Sequence, residues 1–211
     1  MNEKIVLVLA LVAFLISGIA FSATYYSLAH FKEQILTGYA TSTGTVNITV
    51  TSQVAINFTT NNINWGSGAV NPGATIAVLS TATPLATAVI NGSWNNITQG
   101  FILQNIGNDD VNLTLSSGKN SSQFIGGTAG GGPSYQYNVS NSKASSCQNT
   151  TVFNLGQWYD LNSTSPGTNI CMNFSFVSTK NQIRIDIKLG VPSDSVTGNL
   201  SDTITATGTG L

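Results

Sequence analysis

The side chains that could do chemistry are few in this chain, and their types narrow the chemistry at once. His30 is the only histidine and stands just past a long apolar run. One chain therefore cannot assemble a Ser-His-Asp or Cys-His catalytic set, or the usual histidine-bearing zinc site. Beyond Glu33 the acids are six aspartates: Asp109, Asp110, Asp160, Asp186, Asp194 and Asp202. A glycosidase needs two opposed carboxylates, and most of these aspartates stand in turn contexts, so no enzymatic activity is expected. Asp109 and Asp110 follow Gly107-Asn108 between two apolar stretches. Oxygens in such a turn either hold a calcium ion or, more simply, bond their own backbone, and neither a metal nor a cofactor is expected. Asp186, between Arg184 and Lys188 on one strand face, reads as a surface ion-pair ladder of small energetic value. Trp65, Trp94 and Trp158 offer a sugar-binding platform on one reading, but tryptophan in a domain of this size more often packs in the core or at an edge.

Two features carry more. Cys147 and Cys171 are the only cysteines, with no CxxC and no Cys/His cluster, so a disulfide in an oxidising exterior is the natural reading and two buried thiols the alternative. Eleven Asn-x-Ser/Thr sequons begin at Asn47, Asn57, Asn91, Asn96, Asn112, Asn120, Asn138, Asn149, Asn162, Asn173 and Asn199. Random pairing of this chain's 23 asparagines with its 50 serines and threonines gives roughly 5. Asn47, Asn57, Asn112 and Asn173 each sit between two apolar residues, so a period-2 strand points them away from the core.

Composition fixes the surroundings. Only 7% of residues are charged and the net charge is −1. No basic stripe is present for nucleic acid, and a surface this poor in charge must be wetted by hydroxyls, amides and glycans.

The elements that position these residues begin with a helix. Ile5 to Ser22 carries no charge, and the uncharged run continues to Ala29. That length is close to the ~20 residues a helix needs to cross a bilayer. Ala20-Phe21-Ser22 would suit signal cleavage before Ala23. Against it, Tyr25, Leu28, Phe31, Ile35 and Leu36 continue at mostly helical spacing up to the stop signal at Gly38, an extension a discarded signal does not need. The spacing predicts one helix over residues 1–37, a small-residue linker over 38–44, and a head over 45–211. In the head, alternation at Val46/Ile48/Val50, Val54/Ile56/Phe58, Ile76/Val78, Val111/Leu113/Leu115, Tyr135/Tyr137/Val139, Met172/Phe174/Phe176, Ile183 to Leu189 and Ile204/Ala206 predicts strands, with Ala86–Ile90 and Phe101–Ile106 as more buried ones. Gly126 to Pro133 reads as a flexible excursion. The fold class is mainly β: a long N-terminal hydrophobic helix followed by one antiparallel β-sandwich of Greek-key or jelly-roll type.

Phe101-Ile102-Leu103-Gln104-Asn105-Ile106-Gly107-Asn108 with Val111 to Leu115, and Val191-Pro192-Ser193 with Thr197 to Thr205, resemble the turns and closing hairpin of exported immunoglobulin-like and pilus-type sandwiches. With the leading helix, the layout resembles archaeal surface and pilin-like filament subunits. Glu3-Lys4-Ile5 departs from the basic-small pair that precedes the apolar run in archaeal prepilins. The resemblance implies a structural subunit of an extracellular filament at the cell surface, with helices packed in the core, glycosylated heads outside, copies of itself as partners, and a membrane before assembly. Two other readings use the same residues. One is a single-pass anchored surface, S-layer-associated or adhesin protein that meets a surface or carbohydrate ligand. The other is a secreted sandwich that polymerises by strand exchange after cleavage.

Overall fold

Thirty-one residues, Glu3–Glu33, form a single α-helix (α1). Nothing in this stretch breaks it: no proline occurs, and Gly18 is its only glycine. At ~1.5 Å per residue it is about 46 Å long. The computed structural model describes residues 3–33, 47–82, 87–148 and 154–211, with the side chains of 29–33 left aside. The helix expected over 1–37 is thus described to Glu33, and the expected linker 38–44 lies outside the described residues. The chain divides into two units, Met1–Thr49 and Val50–Leu211.

The second unit is an antiparallel sandwich. Its described strands are β1 (Ile56–Thr60), β2 (Ile76–Ser80), β3 (Val89–Ile90), β4 (Phe101–Asn105), β5 (Val111–Ser117), β6 (Ser134–Asn141), β7 (Trp158–Asp160), β8 (Thr168–Phe174), β9 (Gln182–Pro192) and β10 (Ile204–Gly210). A seven-stranded sheet runs β1-β4-β9-β2-β3, with β6 and then β7 on the other side of β9. A three-stranded sheet runs β10-β5-β8. The eleven-residue β9 is the axis of the large sheet, pairing β4 with its first half, β2 with its second, and β6 along most of its length. Between the sheets lie Leu103, Val111, Leu113, Leu115, Tyr137, Val139, Ile170, Phe174, Ile183 and Ile185, each at most 1% exposed.

Alternation reads β5, β6 and β10 correctly, since Val111/Leu113/Leu115 and Tyr135/Tyr137/Val139 all face inward. Elsewhere the structure departs from it. Residues 47–50 form no strand and are exposed. In β2 the buried residues are Ala77 and Leu79, so Ile76 and Val78 face the other way. In β8 the register against β5 shifts on both sides of Leu113. The residues turned inward are therefore Ile170, Cys171 and Phe174, while Met172 is only partly buried and Phe176 is exposed. A bulge inserts one residue and reverses the phase of everything beyond it. Gly167, at φ +96°, enters β8 where a Cβ would collide with the Leu115 carbonyl, so only glycine lets the two strands close there.

The aspartate expected on a surface ladder is buried. Asp186 is 6% exposed, because Thr81, Thr98 and Gly100 lie over this face of β9. Its carboxylate accepts from Arg184 Nε at 3.0 Å, from Arg184 NH2 at 2.7 Å and from Thr81 Oγ1 at 2.7 Å. Arg184 NH2 also donates to the carbonyls of Thr81 and Thr98, and Thr81 Oγ1 accepts from Ile187 N. Two covered faces replace the half-wet strand that alternation implies, and the ion pair stitches the covering segment to the sheet.

Candidate functional site

Residues 3–28 of α1 are all exposed among the described residues. The described span Glu3–Leu28 is long and apolar enough to cross a membrane. Hydroxyls within it turn back on the helix: Ser17 donates to Phe14 O, Ser22 to Ile19 O and Thr24 to Ala20 O, each within 2.9 Å. This internal satisfaction lets polar side chains sit in an apolar medium. Among the expected packing residues, Tyr25 and Leu28 are 71% and 66% exposed. Phe31 belongs to α1 but its side chain is not described, and Ile35 and Leu36 lie outside the described residues.

Asparagines at sequons spread over the head and its lead. Asn47, Asn57, Asn91, Asn96, Asn120, Asn162 and Asn199 are exposed, Asn112, Asn138 and Asn173 are partly buried, and Asn149 lies outside the described residues. Asn57 points outward from β1 and Asn112 from β5, as a period-2 strand requires. Asn120 caps the short helix α2 (Ser121–Phe124) in a capping box with Gln123. Asn162 Oδ1 accepts from Thr164 N and from Thr164 Oγ1. Both asparagines engage their oxygen and not the amide nitrogen that would carry a glycan. By contrast, Asn112 Oδ1 and Asn173 Oδ1 are buried without a hydrogen-bond partner among the described residues, on a small sheet whose surface rows are rich in Asn and Thr.

Cys147 and Cys171 are joined in a disulfide. The bond pins residues 146–148 alongside β8, where Cys147 bridges Phe174, Gln148 N donates to Asn173 O and Ser175 N donates to Ser146 O. The Asn173–Ser175 end of that edge of the small sheet is therefore covered.

The remaining candidates have structural occupations. Asn108, Asp109 and Asp110 hold neighbouring segments rather than their own turn. Asn108 Oδ1 accepts from Gln53 N, Asp109 Oδ2 from Ser52 Oγ, and Asp110 Oδ1 from Phe176 N. Among the described residues, no three His, Cys, Asp or Glu side chains gather as a metal site would need. Trp94 packs on Gly68 and Gly92, and both Trp65 and Trp94 lie against the core. Trp158 carries Lys188 Nζ over its ring at 4.4 Å, which occupies the face a sugar would stack on. Burial pushes the Tyr137 hydroxyl up to about 12, and burial, then the nearby Asp202, raises Tyr135 further, so both stay protonated.

Gly126 to Pro133 is less free than its five glycines imply. It contains a 3₁₀ turn, Ala129–Gly131, and Asp194 accepts from Thr128 N, Thr128 Oγ1 and Ala129 N. Backbone donation by Ala129, then by Thr128, holds the Asp194 carboxyl below the usual carboxylate range. The folded value lies under the unfolded one, so the pinning is present above the ordinary aspartate range and is lost as pH falls through the depressed value. Asp194→Ala is expected to speed amide hydrogen exchange at Thr128 and Ala129 several-fold at neutral pH while sparing β5 and β6. Exchange at these two amides unchanged from wild type would contradict this. Sequence alone hid the contact, because 65 residues separate its partners.

No family model, curated protein or solved structure matches the chain.

Proposed function

We propose that this protein is a structural subunit of an extracellular filament, its helices packed on those of other copies and its sequon-bearing sandwiches outside. The observation that carries the reading is the length and bareness of α1. At about 46 Å it exceeds the ~30 Å hydrocarbon core, and its surplus still presents Tyr25 and Leu28 to solvent. A bilayer covers the first part, and other helices of the same kind cover the whole. Burying so much apolar area at ~25 cal/mol per Å² holds subunits without covalent links. The disulfide and the low charge suit an exported head, wetted by glycans at the exposed sequons.

A second reading, a single-pass anchor with the head as adhesin or coat element, draws on the membrane-length span and on Lys4, which would stay on the cytoplasmic side. Cysteines placed at Tyr25 and Leu28 separate the two on intact cells under oxidising conditions. Long ladders of linked chains, with filaments visible by negative-stain microscopy, are the expected result. Monomers on a filament-free surface would overturn the filament reading and leave the anchor.

A further inference from the structure

The head carries most of its loose apolar surface at one end. From Val50 on, nine large hydrophobic side chains are exposed among the described residues, and six of them ride on segments tied to the turn between β4 and β5. Ile106 opens that turn, and its N–H donates to Ala55 O. Asn108 Nδ2 donates to Thr51 O, which sets Val50 beside the turn. Val54 lies against Gly210, Leu211 N donates to Asp110 O, and Phe176 N donates to Asp110 Oδ1, with Val177 next along the chain. These six side chains are between 41% and 74% exposed. Val196, by contrast, stands at the other end of the sandwich, beside Ile125 and Gly126.

Single exposed apolar residues on a domain need no explanation, but six gathered at one pole do. Three features say what covers them. The amides behind the side chains are already satisfied: Ile106, Phe176 and Leu211 donate as above, and Val177 N donates to Ser175 Oγ, so water can leave without orphaning them. The charges cancel, Asp109 and Asp110 against Lys143 and Lys180, and Lys143 Nζ is already held by Ser178 O and Asn181 Oδ1, so no charged partner is selected. Val50 is the first residue of the second unit, and the chain before it leads back to the membrane-length span Glu3–Leu28. A bilayer that holds this span is therefore tethered to this pole by the chain itself, and a tether lets a weak contact hold through effective concentration.

We propose that this pole seats the head on a lipid surface, its apolar side chains entering the interfacial layer of the bilayer that α1 spans. They rise from the 50–54 lead, the β4–β5 turn, the connection after β8 and the residue after β10, an uneven relief that fluid lipid fills without a matching shape. The inference rests on Glu3–Leu28 entering a membrane, which both readings above share, and adds to it a contact made by the head. In the filament reading this seat holds each subunit against the membrane until helix packing draws it away.

The test uses the full chain in phosphatidylcholine vesicles that contain spin-labelled lipid, with a fluorophore on one added cysteine at a time. A label at Val177→Cys should be quenched several-fold more than one at Val196→Cys, and a label at Ala13→Cys, inside the span, should be quenched as well. Ile106→Asp with Phe176→Asp should bring a label at Val50→Cys down to the Val196 level, while circular dichroism and the quenching at Ala13 stay unchanged. Quenching at Ala13 with Val177 no different from Val196 would overturn the head contact and leave the span standing. No quenching at Ala13 would remove the span, and the proposal with it. Energy transfer between Val177 labels on separate chains, without lipid quenching there, would assign the pole to a second copy and overturn the proposal.

Discussion

Asp186→Ala is expected to lower the stability of the sandwich by about 3 kcal/mol, near the lower end for breaking a buried ion pair. In a domain of this size the loss reads as a fall of roughly 6 to 12 °C in Tm. The mechanism is specific. Removing the carboxylate strips Arg184 of its only salt-bridge partner among the described residues and Thr81 Oγ1 of its acceptor. The guanidinium can still donate to the carbonyls of Thr81 and Thr98, and the Arg184 side chain is 31% exposed, which keeps the cost from the upper end of the range. Replacing both partners together, Arg184→Met with Asp186→Leu, should recover most of the loss, because the pair's desolvation cost disappears with it. Thermal denaturation of the full chain in detergent measures both variants. A drop under about 1 kcal/mol for Asp186→Ala would assign the site to the exposed ion pairs that contribute little.

Replacing Cys147 and Cys171 together by alanine should cost about 3 to 4 kcal/mol, because the bond closes a loop across a sequence separation of 24. The effect has a local signature too. Residues 146–148 are held beside β8 by the disulfide and a few backbone bonds, so hydrogen exchange at Gln148 and Ser175 should rise well before that of β9. Cys147 and Cys171 are 5% and 1% exposed, so a reductant should act on the wild type only once the sandwich opens. A double variant that melts with the wild type would show that β8 holds this edge without the covalent link.

These two sites were unequally legible in the sequence. The cysteine pair was visible because two lone cysteines in a β-rich chain, with no Cys/His cluster beside them, have few other uses. The Arg184–Asp186 pair was visible as spacing, but its burial was not. Alternation along Ile183, Ile185 and Ile187 says which residues share a face and is silent on whether Thr81, Thr98 and Gly100 cover the other face. Asp194 was hidden for a related reason, its partners being loop amides brought near only by the fold.

Amino-acid order alone settled the helix, the mainly β head and the sequon-rich, charge-poor surface, because hydropathy, side-chain alternation and composition are local quantities that a few neighbouring residues specify. Tertiary structure decided the phase of β2, the bulge that turns Ile170 and Cys171 inward, the burial of Asp186, and the exposed edge of β10. Each depends on which distant segment lies alongside, and a strand's own residues carry no record of its neighbour. The same rule governs Asn47–Val50: its alternation is that of a strand, yet it forms none, and among the described residues none hydrogen-bonds to it.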